Sequence, residues 1–581
     1  MYICRNGDTD KVFHRILMSN FIRTVIFKKI IKQLQNIDNA CQYKIMSNLH
    51  ITFNKEIDTY TFVLPLKSKD YNLTNKVKDI IDNDLKGDFD NVTVQNNAMH
   101  FNVLRDKYIK QILESNFSGV RPPLVDVNKN IIVEFSSPNI AKPFHIGHLR
   151  STIIGNCIAN LNSFFQNQVT KINYLGDWGT QFGYVYIGMK MANIDNIEMQ
   201  TDPIKTLYTA YVNANKLAKD DPSINESAKE IFRQLELEDN EVYKNWESVK
   251  QFTVLELERT YKRIGVTFDR YDWESMYTAK KINKIIDKMG EMQLLKLDNE
   301  NRKVMPLSEG KSVPIIKSDG TSLYISRDIA AAIDRFERNK FDAMYYIVEN
   351  GQTDHFTNLI QILNKMNLPW VDRLKHVKFG RVHGMSTRQG TVVFLEDILN
   401  KAKEIMKQKQ LDAKTTKIPL DKIDETSDIL GVSGVIIQDL KQNRMNNYKF
   451  DWNLMLDMKG DSGIKLQYAH CRLCSLEELS GATLVIECDP SLLKEAEVDQ
   501  LILLISQFDE VVLKSYEELE PCVLTIYLFR LCKAINIAWR KLSVKHQSND
   551  LGNQRLLLFH IARITLAQGM KLLGLTPLEK M

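Results

Sequence analysis

Cysteine, proline and glycine are scarce in this chain, and neither sign of charge dominates. Eight cysteines scattered over 581 residues cannot make a disulfide framework, which points to a reducing compartment. The one close pair, Cys471 and Cys474, lies in the helical-looking stretch LQYAHCRLCSLEEL. A four-thiolate zinc site needs a second close pair, and Cys488, Cys522 and Cys532 do not supply it. With 25 Gly and 14 Pro, collagenous and low-complexity chains are excluded. Long apolar runs are missing too. The longest resemble LILLI at 501–505, against the ~18–20 residues of a bilayer span, so no membrane partner is expected. The balance of 77 basic against 72 acidic residues, net +5, permits a polyanionic partner without requiring one.

One local absence is sharper. Residues 11–37 contain no acid, while Lys11, Arg15, Arg23, Lys28, Lys29 and Lys32 are basic and Phe21, Ile22, Val25, Ile26, Ile30 and Ile31 recur at near-helical spacing. A basic amphipathic helix of this kind suits a mitochondrial transit peptide within 1–37. It equally suits the first helix of a folded domain, and both can hold.

What is present is a long chain with 44% hydrophobic and 26% charged residues, enough for three or four domains with ordinary cores. Residues 1–122 read as a small α/β domain: the basic helix, an extended YTFVLPL (60–66), a charged helix near 73–85, then NNAMHFNVLRDKYIKQILES. SGVRPPL (118–124) reads as a linker. Residues 123–404 have strand–helix–strand texture, with strands at 131–135, 171–175, 343–348 and 376–382. Leu149, Ile153, Cys157, Ile158, Leu161 and Phe165 share one helical face, and further helices are placed near 355–366 and from Leu395. Strands joined by such helices predict a Rossmann-type parallel sheet. The highly charged stretch 185–310 reads as a helical insertion into that sheet. Residues 405–581 read as a separate all-α domain.

The densest motif is EFSSPNIAKPFHIGHLRST (134–152), between the first strand and its helix. Open α/β sheets bind ligands outside the carboxyl ends of their strands, where this loop must lie. His145 and His148 fall at the opening of the helix, with Gly147 permitting close approach. Free N–H groups and the positive dipole end suit phosphate there. The two histidines can then stabilise charge building at an α-phosphorus. A metal pair is the rival reading, but no neighbouring Glu, Asp or Cys completes it, and no protein-bound metal is expected.

His145-Ile146-Gly147-His148 matches the HIGH signature of class I aminoacyl-tRNA synthetases, and VEFSSPNIAKPFHIGHLRSTIIGN resembles the arginyl-tRNA synthetases specifically. NYLGDWGTQFG, SDGTSLYISRD, GMSTRQGTVVFLEDIL, LQYAHCRL and GMKLLGLTP follow in that family's order, so the resemblance covers essentially the whole chain. It implies ATP-dependent formation of arginyl-adenylate and transfer of the arginyl group to the 3′ end of arginine tRNA. Mg²⁺ accompanies the ATP, bound tRNA is needed for activation, and the enzyme is expected to act as a monomer. It also implies an N-terminal domain that reads the tRNA elbow and a C-terminal domain that binds the anticodon. The family's second signature, KMSKS, is here Gly384-Met385-Ser386-Thr387-Arg388, without either lysine. Lys142 and Arg388 are the replacement cations, with Met385 and Ser386 beside them, and Gln389 stands where a further basic residue often follows.

By the same resemblance, Glu134 and Asp328 bind the substrate guanidinium and Tyr324 lines the pocket. Ser137, Asn139 and Gln352 hold the α-amino and carboxylate groups. Carboxylates suit a guanidinium because it presents a fixed fork of donors. The blander alternatives are a helix cap for Asp328 and a loop position for Gln352. Tyr468 and Trp539 are candidate stacking platforms for anticodon bases, against the alternative of core aromatics. The lysines at 401, 403, 407, 409, 414 and 417 form either a phosphate track or a solvated helix face. The short basic N-terminus and SQFDEVVLKSYEEL most resemble the animal mitochondrial form, so the mitochondrial matrix is the expected compartment and the cytoplasm the alternative. Two rivals remain: a nucleotidylyltransferase acting on a small metabolite through HxGH, and an RNA-binding relative that has lost activation.

Overall fold

A computed structural model of the chain describes residues 21–33, 45–46, 48–67, 72–81, 89–122, 128–140, 144, 146–194, 203–236, 240–307, 310–383, 394–413 and 418–581. The chain divides into two compact units, Val127–Lys401 with Gln442–Asp451, and Met1–Asp126 with Ala402–Lys441 and Trp452–Met581.

The first unit is built on five parallel strands: β1 (Asn130–Glu134), β2 (Gln168–Leu175), β3 (Arg270–Trp273), β4 (Ala343–Glu349) and β5 (Leu374–Phe379), in the order β5-β4-β1-β2-β3. Ile131, Ile132 and Val133 are all buried, as a central parallel strand covered on both faces requires. Glu134 pairs in register with Ile172 on one side and Tyr346 on the other. Helix α1 (Ile146–Phe164) buries Leu149, Ile153, Cys157, Ile158 and Leu161, the stripe read from the sequence. Helices α2 (Tyr324–Asn339) and α3 (Thr353–Lys365) enclose a core of Ile132, Ile172, Ile329, Met344, Leu359 and Trp370. The order reverses between β1 and β4, which opens a crevice at their carboxyl ends.

The stretch 185–310 is not purely helical. It holds helices Pro203–Asp220, Pro222–Glu236 and Asn240–Arg263, but also β3 of the main sheet and strands Lys296–Leu297 and Lys303–Pro306 of a small antiparallel sheet. The RYDW strand is short and polar because it is the edge, and its two charged residues serve ion pairs rather than apolar contacts: Arg270 and Asp272 pair with each other at 2.9 Å. Near 73–85 the described helix is confined to Val77–Asp79.

In the second unit, an antiparallel sheet runs His50–Asn54, Thr59–Pro65, Ala98–Leu104, Asn91–Gln95, followed by helix Arg105–Ser115. It packs with helices Ile423–Leu440, Gly463–Leu479, Ala496–Ser506, Phe508–Glu518, Pro521–Lys541 and Asn549–Leu572. The seam is polar and buried. Arg105 donates to Asp499 at 2.8 Å, Tyr60 donates to the same carboxylate at 3.1 Å, and Arg23 pairs with Glu510. The basic helix Phe21–Gln33 is thus part of this unit, with Ile22, Arg23, Ile26 and Ile30 buried. Pro521–Lys541 has the length and mean hydropathy of a membrane span although no such stretch was evident, because Arg530 and Lys533 interrupt it; its Leu524, Leu528, Leu531 and Ile535 are buried.

Candidate active site

The loop after β1 turns sharply, with Ser136 at φ 72° and Ser137 at φ 45°, left-handed conformations that non-glycine residues adopt only when neighbours hold them. Those neighbours are identifiable. The Ser136 N–H donates to Ser151 Oγ at 2.9 Å, and Ser151 Oγ donates to the Ile347 carbonyl at 2.6 Å, tying α1 between β1 and β4. The Ser137 N–H donates to Asn173 Oδ1 at 3.0 Å, while Tyr261 Oη meets Ser136 Oγ at 2.7 Å and accepts from Asn173 Nδ2 at 2.9 Å.

The crevice holds a cavity of about 360 Å³. Glu134, Ser137, Asn139, Tyr324, Asp328 and Gln352 all line it, as do Gly147 and His148 at the opening of α1. All six residues expected to bind arginine therefore share one cavity with part of the HIGH motif. Lys142, His145, Met385, Ser386 and Arg388 lie outside the described residues. Asp328 stands within α2 rather than at its start, so it does not cap that helix. Tyr324, Asp328 and Arg335 recur at one helical face, which α2 turns to the cavity. Gln352 ends the short turn Asn350–Gln352 and is exposed at the cavity edge.

Several residues of the site were not singled out in the sequence. Glu274, just past β3, lines the cavity, and burial pushes its carboxyl up to about 8, against the pull of Arg327 with its Nε at 3.4 Å. His355 Nε2 lies 2.6 Å from Asp328 Oδ2 and holds that carboxylate in place. Glu134 Oε2 is engaged by Arg335, which also donates to Asp272 at 3.1 Å and lies over the Tyr174 ring. Burial raises the Glu134 carboxyl above its usual range, and Arg335 opposes that shift. The buried Tyr174 hydroxyl, also at the cavity, has no hydrogen-bond partner among the described residues. Among the described residues, Glu134, Glu274, Asp328 and Glu349 line the cavity with Arg335, while Arg327 and Arg381 pair with Glu274 and Glu349 from outside the lining; the excess of acids in the lining suits a cation. Glu274 would have been legible had RYDW been read as a strand, since its carboxyl end is where ligands bind.

The profile described as "tRNA synthetases class I (R), catalytic domain" matches residues 108–452, more than half of the chain. The chain belongs to the class I arginyl-tRNA synthetases. The "DALR anticodon binding domain" profile matches residues 466–581 of this synthetase. It is 42% identical to a mouse "Probable arginine--tRNA ligase, mitochondrial" over 78% of each chain. It is 36% identical to a Dictyostelium discoideum "Probable arginine--tRNA ligase, cytoplasmic" over 95% of this chain and all of that one. The arginyl-tRNA synthetase structure from Plasmodium falciparum superposes with TM-score 0.76 at 25% identity, covering 97% of this synthetase and 100% of that chain. The family assignment leaves the metabolite nucleotidylyltransferase without support.

The synthetase's second unit contains another cavity, of about 520 Å³, lined by Tyr468, Arg472, Trp539, Lys409 and Lys580 among others. The Arg472 guanidinium lies 4.3 Å from the Trp539 ring centre and 5.6 Å from that of Tyr468. Tyr468 is 44% exposed, while Trp539 is half-buried with its ring 6.0 Å from that of the buried Phe559. Of the lysines at 401–417, Lys407 pairs with Asp424 and Lys409 donates to the Leu456 carbonyl, while Lys414 and Lys417 lie outside the described residues.

Proposed function

We propose that this arginyl-tRNA synthetase seats the guanidinium of arginine against Asp328 and Glu274, beside Glu134 and Tyr324. Its α-amino and carboxylate groups lie towards Ser137, Asn139 and Gln352. MgATP lies against Gly147 and His148, with His145, Lys142, Met385, Ser386 and Arg388 serving the phosphates. The observation that carries this reading is the carboxylate-rich cavity opening beside the first turn of α1. The arginine carboxylate attacks the α-phosphorus, forming arginyl-adenylate and releasing pyrophosphate. A terminal ribose hydroxyl of the tRNA then attacks the arginyl carbonyl and releases AMP. No protein nucleophile takes part; the residues position the reactants and stabilise charge on the phosphates.

Tyr468, Trp539 and Arg472 offer π-faces and a planar cation to unpaired anticodon bases. The N-terminal domain meets the tRNA elbow, and the enzyme works as a monomer in the mitochondrial matrix. The similarity to mitochondrial relatives supports that compartment, and the packing of Ile22, Ile26 and Ile30 of Phe21–Gln33 adds a role in folding that is compatible with import. Fusing residues 1–40 to a fluorescent reporter tests it: mitochondrial signal is expected, and diffuse cytosolic signal overturns import by this segment. The activity itself is tested by charging arginine tRNA with labelled amino acids. ATP-dependent charging with arginine alone is expected, and charging with another amino acid in its place overturns the pocket assignment.

A further inference from the structure

The GDWG stretch contributes a carboxylate, Asp177, that binding and transfer do not use. Asp177 follows β2 and is completely buried. Its Oδ1 accepts the Ser275 N–H at 2.9 Å and its Oδ2 accepts the Ser275 hydroxyl at 2.6 Å. The buried Lys250 ammonium stands 3.3 Å from Oδ2 and donates to Ser275 Oγ and Glu247, each at 2.9 Å. Buried charge of this kind gains little stability over an apolar replacement, but it does fix geometry.

The geometry being fixed has two ends. Ser275 immediately follows Glu274, whose side chain faces the arginine cavity. On the other side, Gly176 immediately precedes Asp177. Its N–H donates to the Pro138 carbonyl and its own carbonyl accepts from the Ile140 N–H, both at 3.1 Å. Gly176 also lies so close to Asn139 that a Cβ there would sit 3.4 Å from Asn139 Nδ2. Asp177 therefore stands one residue from the wall that carries Asn139 and, through Ser275, one residue from Glu274.

We infer that Asp177, with Ser275 and Lys250, is a positioning device that sets the separation between the Asn139 wall and the Glu274 carboxylate, and so selects a guanidinium amino acid by length and charge. The inference rests on the reading of this cavity as the arginine subsite. Asp177 and Ser275 act through Glu274 and do not touch substrate.

The test compares Ser275→Ala, Asp177→Asn, Glu274→Gln and the double variant Asp177→Asn/Glu274→Gln in the full chain, measuring arginine KM, ATP KM and melting temperature. Ser275→Ala and Asp177→Asn are each expected to raise arginine KM by about tenfold, the scale of one charge-assisted contact, with ATP KM moved less than about twofold. The double variant is expected to match Glu274→Gln alone, because both changes remove the same contact. Equal rises in arginine and ATP KM, or multiplying effects in the double variant, would mean that Asp177 merely supports the fold and overturn the inference. Should Asp177→Asn not fold, Ser275→Ala decides. If Glu274→Gln raises arginine KM and Ser275→Ala does not, this inference alone falls. If Glu274→Gln itself leaves arginine KM unchanged, the subsite reading falls with it.

Discussion

Asp328 has one carboxylate oxygen held by His355 at 2.6 Å, with the rest of the group facing the cavity. Asp328→Ala should therefore raise arginine KM by the worth of a charge-assisted contact, roughly 1.5–3 kcal/mol or about 10–150-fold, and change ATP KM little. An unchanged arginine KM in steady-state charging assays would remove Asp328 from the pocket. Glu274 gives a pH dependence. Its carboxyl is raised to about 8 by burial, against the pull of Arg327, and a guanidinium seated beside it as proposed would favour the ionised form and release a proton on binding. Arginine KM should accordingly fall as pH rises from 6 to 8, by up to about tenfold per unit, and then level off. Glu274→Gln should remove the larger part of that fall, leaving what Glu134, raised to about 7 by burial, contributes, and a wild-type profile already flat over this range would contradict the assignment. At this scale the place of Glu134, Asp328 and His148 at the cavity was legible because a specific motif surrounds each. Glu274 and His355 were not, because their roles depend on which strand end and which helix start meet in space.

At the scale of elements, apolar runs such as NIIVE and AMYYIV declared the central strands, since a parallel strand buried on both faces has no polar face to disguise it. RYDW hid, because an edge strand of a few residues carries its charges into ion pairs. The helix Phe21–Gln33 shows the opposite problem: one pattern, two meanings. Its Arg23 is buried and paired with Glu510, an arrangement that free import sequence would not need. Arg23→Ala should leave Glu510 without its buried cation and destabilise the second unit by about 3–5 kcal/mol, read as a lowered urea midpoint. A midpoint identical to wild type would mean that the Arg23–Glu510 pair does not anchor this helix in the fold.

Across the whole molecule, the mild net charge of +5 conceals local contrast: one cavity is lined by Glu134, Glu274, Asp328 and Glu349, another by Lys409, Arg472 and Lys580. Length and motif order foretold a synthetase of several domains. The joining of the N-terminal sheet to the C-terminal helices in one unit was not visible, because it depends on ion pairs between residues hundreds of positions apart. If the Tyr468–Arg472–Trp539 cavity receives an anticodon base, Trp539→Ala should cost about 1–3 kcal/mol of tRNA binding, seen as a higher tRNA KM with arginine KM unchanged. An unaltered tRNA KM would return Trp539 to a packing role. The most direct test of the whole reading is ATP–pyrophosphate exchange with arginine, with and without arginine tRNA. Exchange that requires both arginine and the tRNA is the predicted result; tight tRNA binding without any exchange would contradict it.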